Sequence, residues 1–389
     1  MKATITKTNL LKALTKCAKA IQPNPIHPTL SNFYLDFRHD TLQVTGSNLK
    51  MTIMSQVDCD FKDSFSCLVP SKTFLETIKS LPDQPLELHL SETDITVKSA
   101  QGVYKLATEP TNQYPDTVKM GKFSTMFKAD TSELKDNIAR TIIAVSKDEL
   151  RPSMTGLLFE AENKAIRIVA TDAHMLSSAK FDDVEVSDEL RVVVPAKEVN
   201  AAASIIEAID VKLSFYENFM KIEDGTTYIY LQLIDAIFPN YKQVVPTNHT
   251  CVVEIDRERF SGALRRISNF TNTQTNQIKL TLDKVDGVNR MTIGAQDLDM
   301  NSEGYETFEV HSDNFPTAMN IGFNVKMLMA AVDSYATETV TLLMTDPNKA
   351  AIIKHETDSQ DFVLIMPVVL NWQPCHYPQS DRPNQRSSS

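Results

Sequence analysis

The amino-acid sequence contains one pattern three times, and this internal repeat constrains the fold more than any other feature. Apolar residues occupy alternate positions, a small residue follows, and a short polar residue stands two positions later. The three stretches are LQVTGSNLKMTI from Leu42, IRIVATDAHMLS from Ile166 and MTIGAQDLDMNS from Met291. Their polar anchors, Asn48, Asp172 and Asp297, lie 124 and 125 residues apart. A fixed period of this kind is typical of a chain built from copies of one unit.

The segments on both sides of the anchors repeat in the same register. A helix-like segment precedes each anchor by 37 or 38 residues, and a second one begins 22 to 25 residues after it. The matched positions are Leu11, Leu134 and Phe260 for the first segment and Pro70, Pro195 and Gly322 for the second. Such matched spacing predicts three copies of one domain.

Each copy has the same predicted order of elements: a short strand, an amphipathic helix, several strand-like runs, a second helix and further strands. In the first helix, Leu10, Leu14, Cys17 and Ile21 form one apolar stripe. The stretch 156–172 contains two strand-like runs around a polar Glu-Asn-Lys turn, which predicts a hairpin. We therefore predict an α+β fold of three repeated domains, each with two helices packed on antiparallel sheets.

The boundaries between the copies fall in the short stretches MGKFSTM (120–126) and PTNHT (246–250). We predict domains at 1–122, 123–247 and 248–371. Residues 372–389 are polar and rich in proline, a composition typical of a mobile C-terminal tail.

The composition argues against several classes of protein. No apolar run is long enough to span a membrane, so we expect no membrane partner, and the N-terminus lacks the pattern of a secretory signal. Five scattered cysteines without a CxxC spacing indicate reduced thiols in a cytoplasmic protein. Only 10 of the 389 residues are glycine, and no phosphate-binding glycine motif occurs. A nucleotide-dependent enzyme is therefore disfavoured.

The Thr-Asp-x-His cluster at 171–174 admits a catalytic and a structural interpretation. Asp172 corresponds to Asn48 and Asp297 in the other copies, and short polar residues at strand ends commonly accept hydrogen bonds from turn amides. His174 has no histidine counterpart in the other copies, so any special role is confined to the middle one. The sequence shows neither a metal-binding histidine spacing nor a glycine-lined nucleophile elbow. We expect no catalytic residue, no metal and no cofactor.

Five motifs, one of them within the repeat from Ile166, carry a resemblance to a known family. They are HPTLSNF (27–33), ELRPSMTGLLFE (149–160), VATDAHMLS (169–177), FPNYKQVVP (238–246) and LIMPVVL (364–370). In this order and spacing, the chain resembles the bacterial DNA polymerase III beta subunits, the sliding clamps, over residues 1 to about 370. The resemblance implies a head-to-tail homodimer whose six domains form a ring around duplex DNA, with helices inside and sheets outside. It also implies that the ring tethers the replicative polymerase for processive synthesis without catalysis of its own.

The charge distribution is compatible with that role, although the net charge is −11. The predicted helix windows 10–21, 71–81, 132–146, 196–209, 257–270 and 324–336 together carry +6. A basic helix surface attracts DNA phosphates without reading base sequence, whereas a solvated lysine face is the alternative for any one helix. The candidate DNA-facing residues are Lys12, Lys16, Lys19, Lys72, Lys79, Arg259, Arg265 and Arg266. The first three share one predicted helix face.

The resemblance also assigns two protein-binding surfaces. In the family, a groove between the second and third domains takes short peptides from the DNA polymerase III alpha subunit, the clamp loader and repair proteins. The corresponding residues are Met154, Thr171, His174, Met175, Leu176, Pro239, Gln243, Val244, Leu364, Met366 and Pro367. At the dimer seam, Asn269 and Phe270 of one subunit are expected to meet Lys72 and Leu75 of the other.

The chain departs from the family pattern at the groove and at one DNA contact. Ala173 replaces a common glycine, and Asn24, Met175, Gln243 and Val369 stand where arginine is common. Three of these missing guanidinium groups belong to the groove, so we expect peptide binding to depend on apolar burial. The alternative function is a diverged clamp paralogue that serves as a protein-interaction scaffold with a restricted set of partners.

Overall fold

The computed structural model describes residues 1–162, 164–182, 184, 186, 190–312, 314–316, 318–356, 359–370 and 372. They form two compact units, one from Met1 to Asn240 and one that begins at Tyr241. The first unit contains two of the sequence repeats and the second contains the third. Apart from Trp372, the predicted tail 372–389 lies outside the described residues.

The first repeat follows the predicted order of elements. They are β1 (Lys2–Thr6), α1 (Lys7–Ala18), β2 (Asn32–Arg38), β3 (Thr41–Ser47), β4 (Met51–Asp58), β5 (Ser64–Pro70), α2 (Ser71–Ser80), β6 (Pro85–Leu90), β7 (Asp94–Lys98) and β8 (Val103–Ala107). The strands form two antiparallel arrays, in the orders β5-β2-β3-β4 and β1-β6-β7-β8.

The second repeat has the same order of elements. They are β9 (Phe123–Asp130), α3 (Thr131–Ile142), β10 (Gly156–Glu162), β11 (Ala165–Thr171), β12 (Met175–Phe181), β13 (Arg191–Pro195), α4 (Ala196–Ala203), β14 (Asp210–Tyr216), β15 (Phe219–Asp224) and β16 (Thr227–Gln232). Its arrays are β13-β10-β11-β12 and β16-β15-β14-β9, which repeats the topology of the first copy. Strand β16 pairs with β4, with Ile229 opposite Ile53, so the two repeats share one eight-stranded sheet.

The third repeat forms the second unit with the same order again. Its elements are β17 (Cys251–Asp256), α5 (Arg257–Ser268), β18 (Gln277–Val285), β19 (Val288–Asp297), β20 (Ser302–Glu309), β21 (Ala318–Asn324), α6 (Val325–Asp333), β22 (Thr339–Met344), β23 (Ala351–Lys354) and β24 (Phe362–Ile365). The arrays are β21-β18-β19-β20 and β24-β23-β22-β17. The prediction of three repeated α+β domains with antiparallel sheets is confirmed.

Helix α1 shows why the predicted stripe forms a core. Leu10, Leu14 and Cys17 are fully buried, as the period of 3.6 predicts, whereas Ile21 lies beyond the helix and is half-buried. The helix spans Lys7–Ala18, three residues earlier than the window 10–21. Because prolines cannot continue a helix, the segment Gln22-Pro23-Asn24-Pro25 keeps the chain non-helical beyond this point. Within the described part of the chain, no helix is long and apolar enough to cross a membrane.

Local side-chain chemistry sets several element ends. The hairpin predicted at 156–172 forms with Glu162 opposite Ala165. The side chains of Asp130, Asp256 and Asn324 accept backbone amide hydrogen bonds at the N-termini of α3, α5 and α6. These bonds satisfy amides that have no partner inside the helix.

The small residue of the repeated pattern lies where a strand passes close to a helix. A Cβ added to Gly46 would stand 2.3 Å from the carbonyl oxygen of Cys17, at the end of α1. Alanines occupy the equivalent positions, Ala170 and Ala295, and both are fully buried. The requirement for a small residue is therefore steric.

Candidate nucleic-acid interface and partner surface

Asp172 is a turn-forming residue. Its Oδ1 accepts hydrogen bonds from the amides of His174 at 2.8 Å and Met175 at 2.7 Å, which closes the turn between β11 and β12. The His174 side chain is exposed. No group of three or more His, Cys, Asp or Glu residues that could hold a metal ion occurs in the described ranges. The structural interpretation of Asp172 is confirmed.

The same turn chemistry recurs in the other two repeats. Asn48 Oδ1 accepts from the amides of Lys50 at 3.0 Å and Met51 at 2.7 Å. Asp297 Oδ1 accepts from the amides two and three residues later at 3.0 and 3.3 Å. In the first two turns the residue after the anchor is left-handed, with φ of +74° at Leu49 and +78° at Ala173. Glycine is the residue that adopts this conformation without strain, so the backbone at Leu49 and Ala173 is strained.

The lysines of α1 do not form the single free basic face that their spacing predicts. Lys16 is buried, and its Nζ lies 2.8 Å from Asp224 Oδ2 and 3.2 Å from Glu207 Oε2. Its assignment as a DNA-facing residue is therefore wrong, because its charge is already neutralised inside the first unit. The helical spacing placed it beside Lys12 but could not predict the acidic residues that pack on it.

The β15–β16 hairpin positions Asp224 beside Lys16. Asp224 ends β15 opposite Thr227, and its Oδ1 accepts from the amides of Ala208 at 2.7 Å and Glu207 at 3.2 Å. Burial would raise the pKa of Asp224, but the hydrogen bonds from Lys16 and Ala208 outweigh it and hold that pKa below its usual value. Asp224 is thus ionised at neutral pH and holds both Lys16 and the 207–208 turn.

Lys12 and Lys19 remain accessible on α1. Lys12 Nζ lies 2.7 Å from Glu207 Oε2, the same oxygen that contacts Lys16. Its hydrogen bond to Glu207 raises the pKa of Lys12, and the same bond lowers the pKa of Glu207. Lys19 is exposed just beyond the helix.

The other candidate cations are exposed and differ in their partners. On α2, Lys72 is exposed, and Lys79 lies 4.0 Å from Glu76. On α5, Arg265 contacts Asp333 at 2.9 Å, and Arg266 binds both carboxylate oxygens of Glu306 at 2.7 and 2.8 Å. The guanidinium of Arg259 stacks 4.9 Å from the Phe308 ring centre. These side chains keep surface positions from which they can contact phosphates.

Of the four candidate seam residues, Lys72 and Leu75 lie in α2, where Leu75 is half-buried. Asn269 and Phe270 follow α5, and Phe270 is 37% exposed while its ring covers Gly304 of β20. Among the described strands, β20 ends one array of the third repeat and β8 ends one array of the first. These two strand edges were not predicted from the sequence, because strand order depends on long-range pairing.

The predicted groove residues of the first unit differ in exposure. Thr171, Met175 and Leu176 are buried, whereas Met154 and Pro239 are half-buried and His174 is exposed. Buried residues can support a peptide site from below but cannot supply its exposed walls. The Met175 side chain, in particular, is buried and cannot contact a bound peptide directly.

The predicted groove residues of the second unit lie on two segments. Gln243 and Val244 belong to a short 3₁₀ turn, Tyr241–Val244, and Val244 is 55% exposed. Leu364 is buried in β24, while Met366 just after the strand is 37% exposed and Pro367 is half-buried. The Val368 amide donates to the Gly322 carbonyl at 2.9 Å, which holds the chain after Met366 on β21.

The two acidic residues of the α1 cluster were missed by sequence reasoning. Glu207 and Asp224 lie 191 and 208 residues from Lys16 along the chain. The only local signal was the Asp-Gly pair at 224–225, which predicts a hairpin turn but no ion pair.

Comparisons with known proteins match every repeat. Family models described as the N-terminal, central and C-terminal domains of the DNA polymerase III beta subunit match residues 1–119, 128–240 and 242–369. The beta sliding clamps of Pseudomonas aeruginosa and Haemophilus influenzae are 28% and 26% identical, over 95% of this chain and 100% of each relative. The crystal structure of the P. aeruginosa beta subunit has a TM-score of 0.89 at 27% identity, covering 95% of this chain and 100% of that one. A P. aeruginosa sliding clamp bound to griselimycin has a TM-score of 0.88 at 26% identity, with the same coverage.

Proposed function

Because the chain belongs to the DNA polymerase III beta subunit family, we propose that it closes as a head-to-tail homodimer around duplex DNA. The protein is a DNA sliding clamp, an accessory subunit and not an enzyme. The observation that carries the proposal is the recurrence of one order of elements in all three repeats, each matched by its own family model. Two such chains supply six similar domains, the number that a two-fold ring of this kind requires.

The proposed seam joins the first repeat of one chain to the third repeat of its partner. Strands β8 and β20 both end an array, and each carries an exposed apolar residue, Val103 and Tyr305. Pairing two strand edges would satisfy backbone groups that otherwise face water. Phe270, beside β20, supplies an apolar side chain for the same seam.

We assign DNA contacts to the accessible cations only. They are Lys12, Lys19, Lys72, Lys79, Arg259, Arg265 and Arg266. Lys16 is not included, because it is buried against Asp224. Several of these cations have carboxylate partners, so they attract phosphates weakly and exchange partners readily. Weak contacts to phosphates hold a duplex without fixing the protein at one sequence, which suits a ring that slides.

The ring is proposed to tether the DNA polymerase III alpha subunit, the clamp loader and other proteins through short apolar peptides. Val244 and Met366 offer exposed apolar side chains, and methionine can repack around different partners. The P. aeruginosa relative bound to griselimycin supports a ligand site on this fold. The four described cysteines are free and buried, which supports our proposal that the clamp works in the cytoplasm.

Met366→Asp tests the proposed peptide site. A partner peptide with large apolar anchors gains about 1.5–3 kcal/mol per buried anchor, so we expect an affinity on the order of micromolar. An aspartate in place of Met366 puts a charge against those anchors and should weaken binding at least ~10-fold. Fluorescence anisotropy with a labelled C-terminal peptide of the host's replicative polymerase measures the change. Met126→Asp, at another exposed methionine, should bind like the parent, and equal binding by all three proteins would move the site elsewhere.

The test of function is the length of polymerase products on a primed circular template. With the host's clamp loader and replicative polymerase, the wild-type protein should lengthen the product of a single binding event several-fold. A protein that dimerises and binds partner peptides but leaves product length unchanged would instead be an interaction scaffold.

A further inference from the structure

The cluster of Lys12, Lys16, Glu207 and Asp224 joins the first helix of the chain to the middle repeat, within the first unit. One carboxylate oxygen, Glu207 Oε2, lies 2.7 Å from Lys12 Nζ and 3.2 Å from Lys16 Nζ. Asp224 completes the cluster 2.8 Å from Lys16. Two cations and two anions thus cancel on the helix that carries the densest run of lysines in the sequence.

Of the three ion pairs in the cluster, Lys16–Asp224 and Lys12–Glu207 differ sharply in their access to water. The Lys16 and Asp224 side chains are 10% and 3% exposed, whereas those of Lys12 and Glu207 are 61% and 52% exposed. A buried pair has no easy replacement for either partner, because breaking it leaves an uncompensated charge away from water. An exposed pair is weak and exchanges with ions from solution. Only the Lys12–Glu207 pair can therefore open for another anion.

Glu207 is held in place for this contact by the backbone. Asp224 Oδ1 accepts hydrogen bonds from the amides of both Glu207 and Ala208, so the turn that carries Glu207 is tied to the buried pair. The geometry leaves the Glu207 carboxylate facing α1 and open to solvent on its other side. A DNA phosphate is also an oxyanion, so it would compete with this carboxylate for the Lys12 ammonium.

We propose that the Glu207 carboxylate competes with DNA phosphates for the Lys12 ammonium. This competition lowers the affinity of α1 for the duplex. The inference rests on the proposed clamp function and adds to it one residue that sets the strength of DNA contact. Of Lys12, Lys16 and Lys19, all within the described residues, only Lys19 has an exposed ammonium and no carboxylate contact, so this lysine-rich segment can border a sliding duplex without binding it tightly.

The test compares Glu207→Gln with Glu87→Gln in the full-length protein. Both changes remove one acidic charge and break an exposed lysine pair, but Glu87 pairs with Lys2 between strands β1 and β6, away from the α1 cluster. Anisotropy of a labelled short duplex is recorded for each protein between 200 and 50 mM salt. Freeing one lysine should steepen the slope of log affinity against log salt concentration by about 0.9. The ratio of the Glu207→Gln affinity to the wild-type affinity should therefore rise roughly threefold as salt falls from about 200 to about 50 mM.

A second substitution identifies the lysine that is freed. The double variant Lys12→Gln/Glu207→Gln should bind DNA with the same affinity as Lys12→Gln alone, because Glu207 acts only through the Lys12 ammonium. An unchanged salt slope for Glu207→Gln, or an equal gain for Glu87→Gln, would overturn the proposal. Wild-type protein that escapes from a closed DNA circle would contradict the clamp function itself, and the inference would fall with it. Retention of the wild type together with an unaffected Glu207→Gln variant would contradict the inference alone.

Discussion

At the residue scale, the role of the three turn anchors could be predicted from the sequence, whereas the environment of Lys16 could not. Asn48, Asp172 and Asp297 accept bonds from amides two and three residues later, so their role was predictable from a local pattern. Lys16 also sits where its helical spacing predicts, but its partner Asp224 is 208 residues away. Short-range chemistry is visible in one sequence, whereas the residue that packs on a helix face depends on tertiary structure.

Asp224→Asn tests the buried pair in the first unit. At pH 7 we expect the free energy of unfolding to fall by about 3 kcal/mol, because the variant leaves the buried charge of Lys16 without its partner. The folded-state pKa of Asp224 is lowered, so its stabilisation is complete above the unfolded-state value of about 3.9 and is lost as the pH falls through the lower folded value. Urea unfolding followed by circular dichroism should show the difference from wild type shrinking below about pH 4.

The control for this prediction is an exposed ion pair of similar geometry. Glu87→Gln breaks the Lys2–Glu87 pair at 2.8 Å and should leave the urea midpoint unchanged, because both side chains are well solvated. Equal midpoints for Asp224→Asn and wild type at pH 7, or a difference that widens in acid, would contradict the proposed role of the pair.

At the element scale, the order of helices and strands was predictable and their ends and pairing were not. The 3.6 period located α1, but the helix begins at Lys7 instead of residue 10. Helix α4 ends at Ala203, well before the end of the window 196–209. Strand order follows from contacts between distant segments, so the terminal positions of β8 and β20 had no local signal. The regular spacing of the repeats nevertheless predicted that all three copies have the same strand order.

Two glycine substitutions test the packing of these elements. Gly46→Ala should destabilise the protein by about 2 kcal/mol, because the added Cβ would overlap the Cys17 carbonyl oxygen and force the strand off the helix. Gly262→Ala should stabilise it by about 0.5–1 kcal/mol, since Gly262 lies inside α5 and its Cβ would stand 3.3 Å from one nitrogen of the exposed Arg266 side chain, which needs to shift only slightly. Differential scanning calorimetry measures both changes, and shifts of the same sign would contradict this assignment.

At the scale of the whole molecule, the net charge and the proposed ring are compatible because charge is segregated. The chain carries −11, yet the predicted helix windows are basic and the remainder is acidic. Acidic outer surfaces would disfavour DNA outside the ring and keep the protein soluble. The closed ring then keeps the protein on the DNA, and the weak contacts of the helices need only centre the duplex.

Phe270→Asp tests the proposed seam. The wild-type protein should scatter light as a particle of about twice 43.6 kDa at micromolar concentration. A carboxylate at Phe270 would enter an apolar contact at each of two identical seams and should shift the mass to that of one chain. Phe123→Asp changes an exposed phenylalanine away from the proposed seam and should remain dimeric. A dimeric Phe270→Asp variant would place the interface elsewhere.

The central claim is that the protein holds DNA by encircling it. The direct measurement loads labelled protein onto a nicked circular plasmid with the host's clamp loader, removes free protein by gel filtration and follows the bound fraction before and after one restriction cut. A ring should remain on the closed circle at a salt concentration that abolishes simple phosphate binding and should run off once the circle is linear. Equal loss from the closed and the cut plasmid would show that binding depends on surface contacts alone and would contradict the claim.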